Sequence, residues 1–224
     1  MPSSGRRSKR VSFYYSEALY MADVSRDPDS SALHRLAYSQ EGLFTAQQAQ
    51  ERGYSAQLLA HHARTGRFAR VRRGLYRLSD YPAGEHEEIR AAWLALGIDR
   101  AIVSHESALV LHGLSDVLPN TVHLLVSREH RGIRPPAGVT LHTATMAIPD
   151  DEITIRHGIR VSTPSRAIVD AAGSGTAPEQ IQMAIRQVLE QGRTTPSQLA
   201  GQAERHGGQV AALVHRTIKE AQAA

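Results

Sequence analysis

The chain has 224 residues, no cysteine, a hydrophobic fraction of 41% and a formal net charge of +4. The length exceeds the usual single domain and points to two, while the lack of cysteine excludes a disulfide framework, thiolate zinc sites and cysteine nucleophiles. No stretch approaches the roughly 18 consecutive apolar residues of a membrane span, and no apolar segment with a cleavage site follows the basic first ten residues, so a soluble, cytoplasmic protein is expected.

The charge is unevenly spread. Residues 1–80 hold 13 Lys+Arg against 7 Asp+Glu, and residues 81–224 hold 13 against 15. A basic N-terminal part joined to a nearly neutral remainder suggests that one end meets a polyanion. Lys9 and Lys219 are the only lysines; every other cation is an arginine, whose planar fork suits phosphate and guanine edges.

Residues 1–30 read as a disordered basic arm, with Arg6, Arg7, Lys9 and Arg10 at the front. Met21 is an alternative start. Such an arm is either a solvated tail or an element that enters a minor groove. From Ser31, the spacing of Ala32, Leu33, Leu36 and Ala37 predicts a short helix. Thr45 caps a second helix that Gly53 stops, and Ser55 caps a third from Ala56 to about Thr65, ended by Gly66. Phe68–Val71 and Leu75–Leu78, around Arg72-Arg73-Gly74, alternate as a β-hairpin. Three helices and a hairpin make a winged helix-turn-helix over 31–82.

After Pro82 the pattern predicts an α+β domain over 83–224 that ends in a helical segment. Gly84–Leu96 reads as an amphipathic helix with Ile89, Trp93 and Leu96 on one face. Ala101–Val103 is a strand, and Ser104 caps a helix carrying Ala108, Leu109, Leu111 and Leu114. Strands follow at Thr121–Val126 and Val139–His142. A hairpin, Glu152–Ile155 and Ile159–Val161, turns at His157-Gly158, and Thr163-Pro164 starts a helix. Residues 177–222 form three more helices. Their apolar positions read as core, a dimer seam being the alternative, so the oligomeric state stays open.

From Tyr54 to Leu78 there are six arginines and no acidic residue. On the third helix, Leu58, Leu59, His62 and Ala63 share one face, and Gln57, His61 and Arg64 the opposite one. That is the layout of a recognition helix: arginine reads guanine and glutamine reads adenine, each for roughly 1–3 kcal/mol of discrimination. Arg67, Arg70, Arg72 and Arg73 would hold phosphates or an adjacent minor groove. Ser55, at the helix start, and Arg77, on the second wing strand, complete the candidate set for double-stranded DNA.

Three groups of residues carry a family resemblance. They are Gly42–Ala49 with Gly53-Tyr54-Ser55 and Gly66–Leu78; Ser104–Leu109 with Leu111–Leu114; and Thr163–Arg166 with Asp170. Together they resemble the AbiEi antitoxin family over about residues 31–172. The resemblance implies a regulator of a type IV toxin–antitoxin system whose winged helix represses the operon encoding the pair. It also implies a C-terminal domain that counters a nucleotidyltransferase-like toxin without needing a stable complex with it. A solitary regulator without a toxin is the alternative.

An enzymatic C-terminal domain is the other reading, and the residues give it little. His105-Glu106 and His112 do not have the H-E-x-x-H spacing of a zinc protease. His105 and His112 lie seven apart, with no third ligand at a telling spacing, so no metal is expected. Asp150-Asp151-Glu152 lacks the lysine of a PD-(D/E)xK nuclease and reads as a solvated turn. Gly173-Ser174-Gly175 lacks the partners of a phosphate-binding loop or nucleotidyltransferase. Arg166 and Asp170 read as a structural ion pair, and Ser104, His105 and Glu106 as a helix start. No catalytic residue and no cofactor are expected.

Overall fold

A computed structural model describes residues 27–223. Most of the arm expected over 1–30, and the alternative start at Met21, lie outside the described residues.

Asp29 caps α1 (Ser30–Ser39), its carboxylate accepting from the Ala32 amide. A left-handed pair, Glu41 and Gly42, then turns the chain into β1 (Leu43–Thr45). At Gly42 φ is +81°, and a Cβ would stand 2.5 Å from the Tyr81 ring, so this position needs glycine. Thr45 makes a reciprocal capping box with Gln48 at the start of α2 (Ala46–Gln50). Ser55 caps α3 (Ala56–Arg64) by accepting from the Leu58 amide. β2 (Phe68–Arg72) and β3 (Leu75–Leu78) form the wing. β1, which lies outside the predicted hairpin, is a third strand. It pairs antiparallel with β3, giving the order β1-β3-β2. Leu33, Ala37, Phe44, Ala49, Tyr54, Leu59, Phe68 and Leu78 form the core between helices and sheet.

The next helix differs from expectation. α4 spans Glu87–Leu96 and is buried nearly all round, at Ile89, Arg90, Ala91, Ala92, Trp93, Leu94 and Leu96. It packs against β1 and β3 on one side and against the second sheet on the other. A helix held between two layers has no solvent stripe, which is why the expected amphipathic period fails. Trp93 fixes its seat, the indole N–H donating to the Ala101 carbonyl at 2.9 Å.

The second sheet holds β4 (Ala101–Val103), β5 (Val122–Val126), β6 (Val139–Thr143), β7 (Ile153–Arg156) and β8 (Ile159–Ser162), in the order β6-β5-β4-β8-β7. It is mixed: β5/β6 and β4/β8 are parallel, β4/β5 and β7/β8 antiparallel. α5 (His105–His112) follows β4 directly and ends at left-handed Gly113. α6 (Pro164–Gly173) packs on α5, followed by α7 (Pro178–Glu190), α8 (Pro196–His206) and α9 (Gly208–Ala223). One large apolar cluster joins the sheet to these helices, and Leu43 and Leu75 of the wing sheet belong to it. Among the described residues no helix is long and apolar enough to cross a membrane.

Candidate nucleic-acid interface

α3 meets the requirement of a recognition helix. Leu59 is buried in the small core, with Leu58, His62 and Ala63 partly so, while Gln57, His61 and Arg64 are exposed. His62 is wedged edge-on to Tyr54 and Phe68. Burial, then the neighbouring Arg67 and His61, lower its pKa and favour the neutral ring. On the outer face Arg64 stands 3.4 Å from His61 Nδ1. Ser55 is exposed, but its hydroxyl oxygen already accepts from the helix start.

The wing divides the arginines into two groups. A register shift between Arg70 and Arg72 leaves Val71 as the extra residue of a β-bulge. Val71 packs against the large core, and Arg72 reaches the Ala137 carbonyl of the second unit at 3.3 Å. Arg77 is half-buried in an ion pair with Glu87, 2.5 Å away at the start of α4. Arg67 donates to the Ser30 hydroxyl at 2.9 Å yet remains exposed. Arg70 and Arg73 are exposed, with no hydrogen-bonded or ionic partner among the described residues. Sequence reasoning placed Arg72 and Arg77 in the DNA-facing set, because nothing local in the wing announces Ala137 or Glu87 as partners.

In the second unit the structure rearranges the polar residues singled out from the sequence. His105 and His112 do not face one another. Arg193 donates to His112 Nδ1 at 2.8 Å, which assigns Nε2–H to the Ser162 carbonyl, also 2.8 Å away. Burial, with the Arg193 charge, lowers the His112 pKa to about 4. Ser104 does not cap α5 with its side chain; its hydroxyl lies 2.8 Å from His105 Nδ1. Nor is Asp150–Glu152 simply a solvated turn. Glu152 is largely buried, paired with Arg166 and, at 3.0 Å, with Arg205. Arg166 also meets Asp170 at 3.1 Å, the expected ion pair. Burial raises the Asp170 pKa, and the Arg166 charge offsets only part of that rise.

These groups line a cavity of about 470 Å³ together with His105, His142 and His206. His123, distant in sequence, gathers with His105 and His142 beside it. The sequence held no signal for that grouping beyond histidines on predicted strands.

A winged helix-turn-helix with a basic outer face, fused to an α+β unit, defines the class: a DNA-binding transcriptional regulator. Residues 31–79 match the family described as "Transcriptional regulator, AbiEi antitoxin", and residues 101–216 match "AbiEi antitoxin C-terminal domain". The chain belongs to the AbiEi antitoxin family. Among curated protein sequences none matches. The RV2827C protein from Mycobacterium tuberculosis has a similar fold, with a TM-score of 0.57 at 13% identity. That likeness covers 86% of this chain and 78% of the other.

Proposed function

We propose that the protein is the repressor and antitoxin of a type IV toxin–antitoxin pair, silencing its own operon by occupying operator DNA. The observation that carries this reading is the outer face of α3, where Gln57, His61 and Arg64 stand exposed with apolar residues beneath them. Gln57 and Arg64 have the donors and acceptors to read adenine and guanine edges in a major groove. Arg67, Arg70 and Arg73 are the exposed cations placed to hold phosphates. Arg72 and Arg77 act chiefly by fixing the wing against the second unit, through Ala137 and Glu87.

In this reading the C-terminal unit counters a nucleotidyltransferase-like toxin and performs no catalysis. In support, residues 83–218 hold no lysine to serve a PD-(D/E)xK centre. The antitoxic part is tested by expressing the full chain from an unrelated promoter together with a nucleotidyltransferase-like toxin encoded in its operon: growth should be restored, and unrelieved toxicity would contradict the pairing. The DNA part is tested with the gene's own upstream duplex and a scrambled one. Three exposed arginines on phosphates predict an affinity falling with roughly the third power of salt concentration. Equal affinity for both duplexes at all salt concentrations would contradict sequence-specific repression.

A further inference from the structure

His105, His123 and His142 come from three elements, the start of α5 and the parallel neighbours β5 and β6. Register pairs His123 with Thr140 and Leu125 with His142, so both histidines lie on one face of the sheet. One ring nitrogen from each of the three lies within 4.8 Å of the others. His123 Nδ1 and His142 Nε2 are 3.0 Å apart, and the His105 ring stacks on His142 with centroids at 3.5 Å. His105 has φ of +52° although it opens a helix. A non-glycine residue held in the left-handed region is strained, and such outliers gather at functional sites.

We propose that His105, His123 and His142 bind one divalent transition-metal ion of the zinc type. Imidazole nitrogens without thiolate or clustered carboxylate suit zinc, copper or nickel and not magnesium or calcium. Zinc with nitrogens at about 2.0–2.1 Å in tetrahedral geometry sets neighbouring nitrogens about 3.3 Å apart. The His123–His142 pair, at 3.0 Å, needs to open only slightly to reach that spacing, and His105 reaches it by turning out of its stack.

The surroundings prepare the rings. Ser104 Oγ occupies His105 Nδ1, leaving Nε2 for the ion. Glu106 Oε2 lies 3.9 Å from His123 Nε2, and Thr176 donates to its other oxygen at 2.7 Å. With Nδ1 of His123 on the metal, Nε2–H faces Glu106, the carboxylate–histidine–metal relay that orients a ligand ring. His105 and His142 border the cavity, so the ion has an entry path and its fourth position faces solvent. The site does not depend on the DNA-binding reading.

The test uses full-length protein freed of metal by a chelator, titrated with Zn²⁺ against a chromophoric competitor and with Co²⁺ by visible absorption. One equivalent should bind, with a tetrahedral Co²⁺ spectrum. His123→Ala and His142→Ala should each weaken Zn²⁺ binding at least tenfold, and Glu106→Gln by about tenfold. His215→Ala, at an exposed position on α9, should leave it unchanged. Absence of stoichiometric binding, or binding indifferent to both ligand substitutions, overturns the site. If circular dichroism shows the ligand variants unfolded, X-ray absorption of the zinc-loaded wild type decides. Three imidazole nitrogens support the site, and fewer overturn it.

Discussion

The buried polar side chains are where a single residue has the most measurable consequence. Arg90 is 2% exposed and spans the two units, donating to Glu41 of the wing-side turn and to the His157 carbonyl, each at 2.5 Å. Glu41 is 35% exposed and regains water when Arg90 is removed, so Arg90→Ala should cost about 1.5–3 kcal/mol in urea unfolding, the range for losing a hydrogen bond to a charged group. An unchanged denaturation midpoint would mean that the clasp contributes nothing. His112 makes a pH prediction. Its folded pKa of about 4 lies below the ordinary 6.5, so the unfolded chain binds more protons between those values. The stabilisation is therefore complete above pH 6.5 and lost as pH falls toward 4, about 3 kcal/mol in all. His112→Gln should flatten the stability–pH curve over that window by about this amount; an unaltered curve contradicts the assignment. Neither role was legible in the sequence, since Arg90 sits 49 residues from Glu41 and His112 sits 50 from Ser162.

At the scale of elements most local signals were sound, Ser104, whose hydroxyl caps nothing, being an exception. Thr45, Ser55 and Pro164 each start the helix that their chemistry predicts, because a cap is settled by residues three positions apart. Thr45→Ala, which breaks the reciprocal box with Gln48, should cost about 1 kcal/mol in thermal unfolding. Gly42→Ala should cost more, at roughly 2 kcal/mol, since it adds left-handed strain to the collision with Tyr81; an equal or smaller loss would place the turn's stability elsewhere. What failed was anything set by packing between elements. β1 is too short to show alternation and exists by pairing with β3. α4 loses its expected polar face because both faces are covered. The Val71 bulge, beside which Arg72 reaches the second unit, packs against the large core.

For the whole molecule, the two units share one framework. Leu43 and Leu75 reach from the wing sheet into the large core, and the Arg77–Glu87 and Arg90–Glu41 pairs lie along the same seam. The winged helix is thus mounted on the α+β unit, and urea unfolding should show one cooperative transition by fluorescence and circular dichroism alike; two resolved transitions would show that the seam is weak. The DNA-binding half of the candidate site was legible because a recognition helix is a local amphipathic pattern beside a local run of arginines. The histidine cluster was not, because it is assembled by strand register across 37 residues of chain, from His105 to His142.

The central claim is that α3 and the exposed wing arginines read and hold operator DNA. Fluorescence anisotropy with the gene's own upstream duplex and a scrambled control, at two salt concentrations, tests it most directly. Arg70→Ala with Arg73→Ala should weaken binding to both duplexes about tenfold and reduce the salt slope by about two. Arg64→Ala should instead lower preference for the native duplex, by about 1–3 kcal/mol of discrimination. Wild-type protein that binds neither duplex, or variants that bind as the wild type does, would contradict the account.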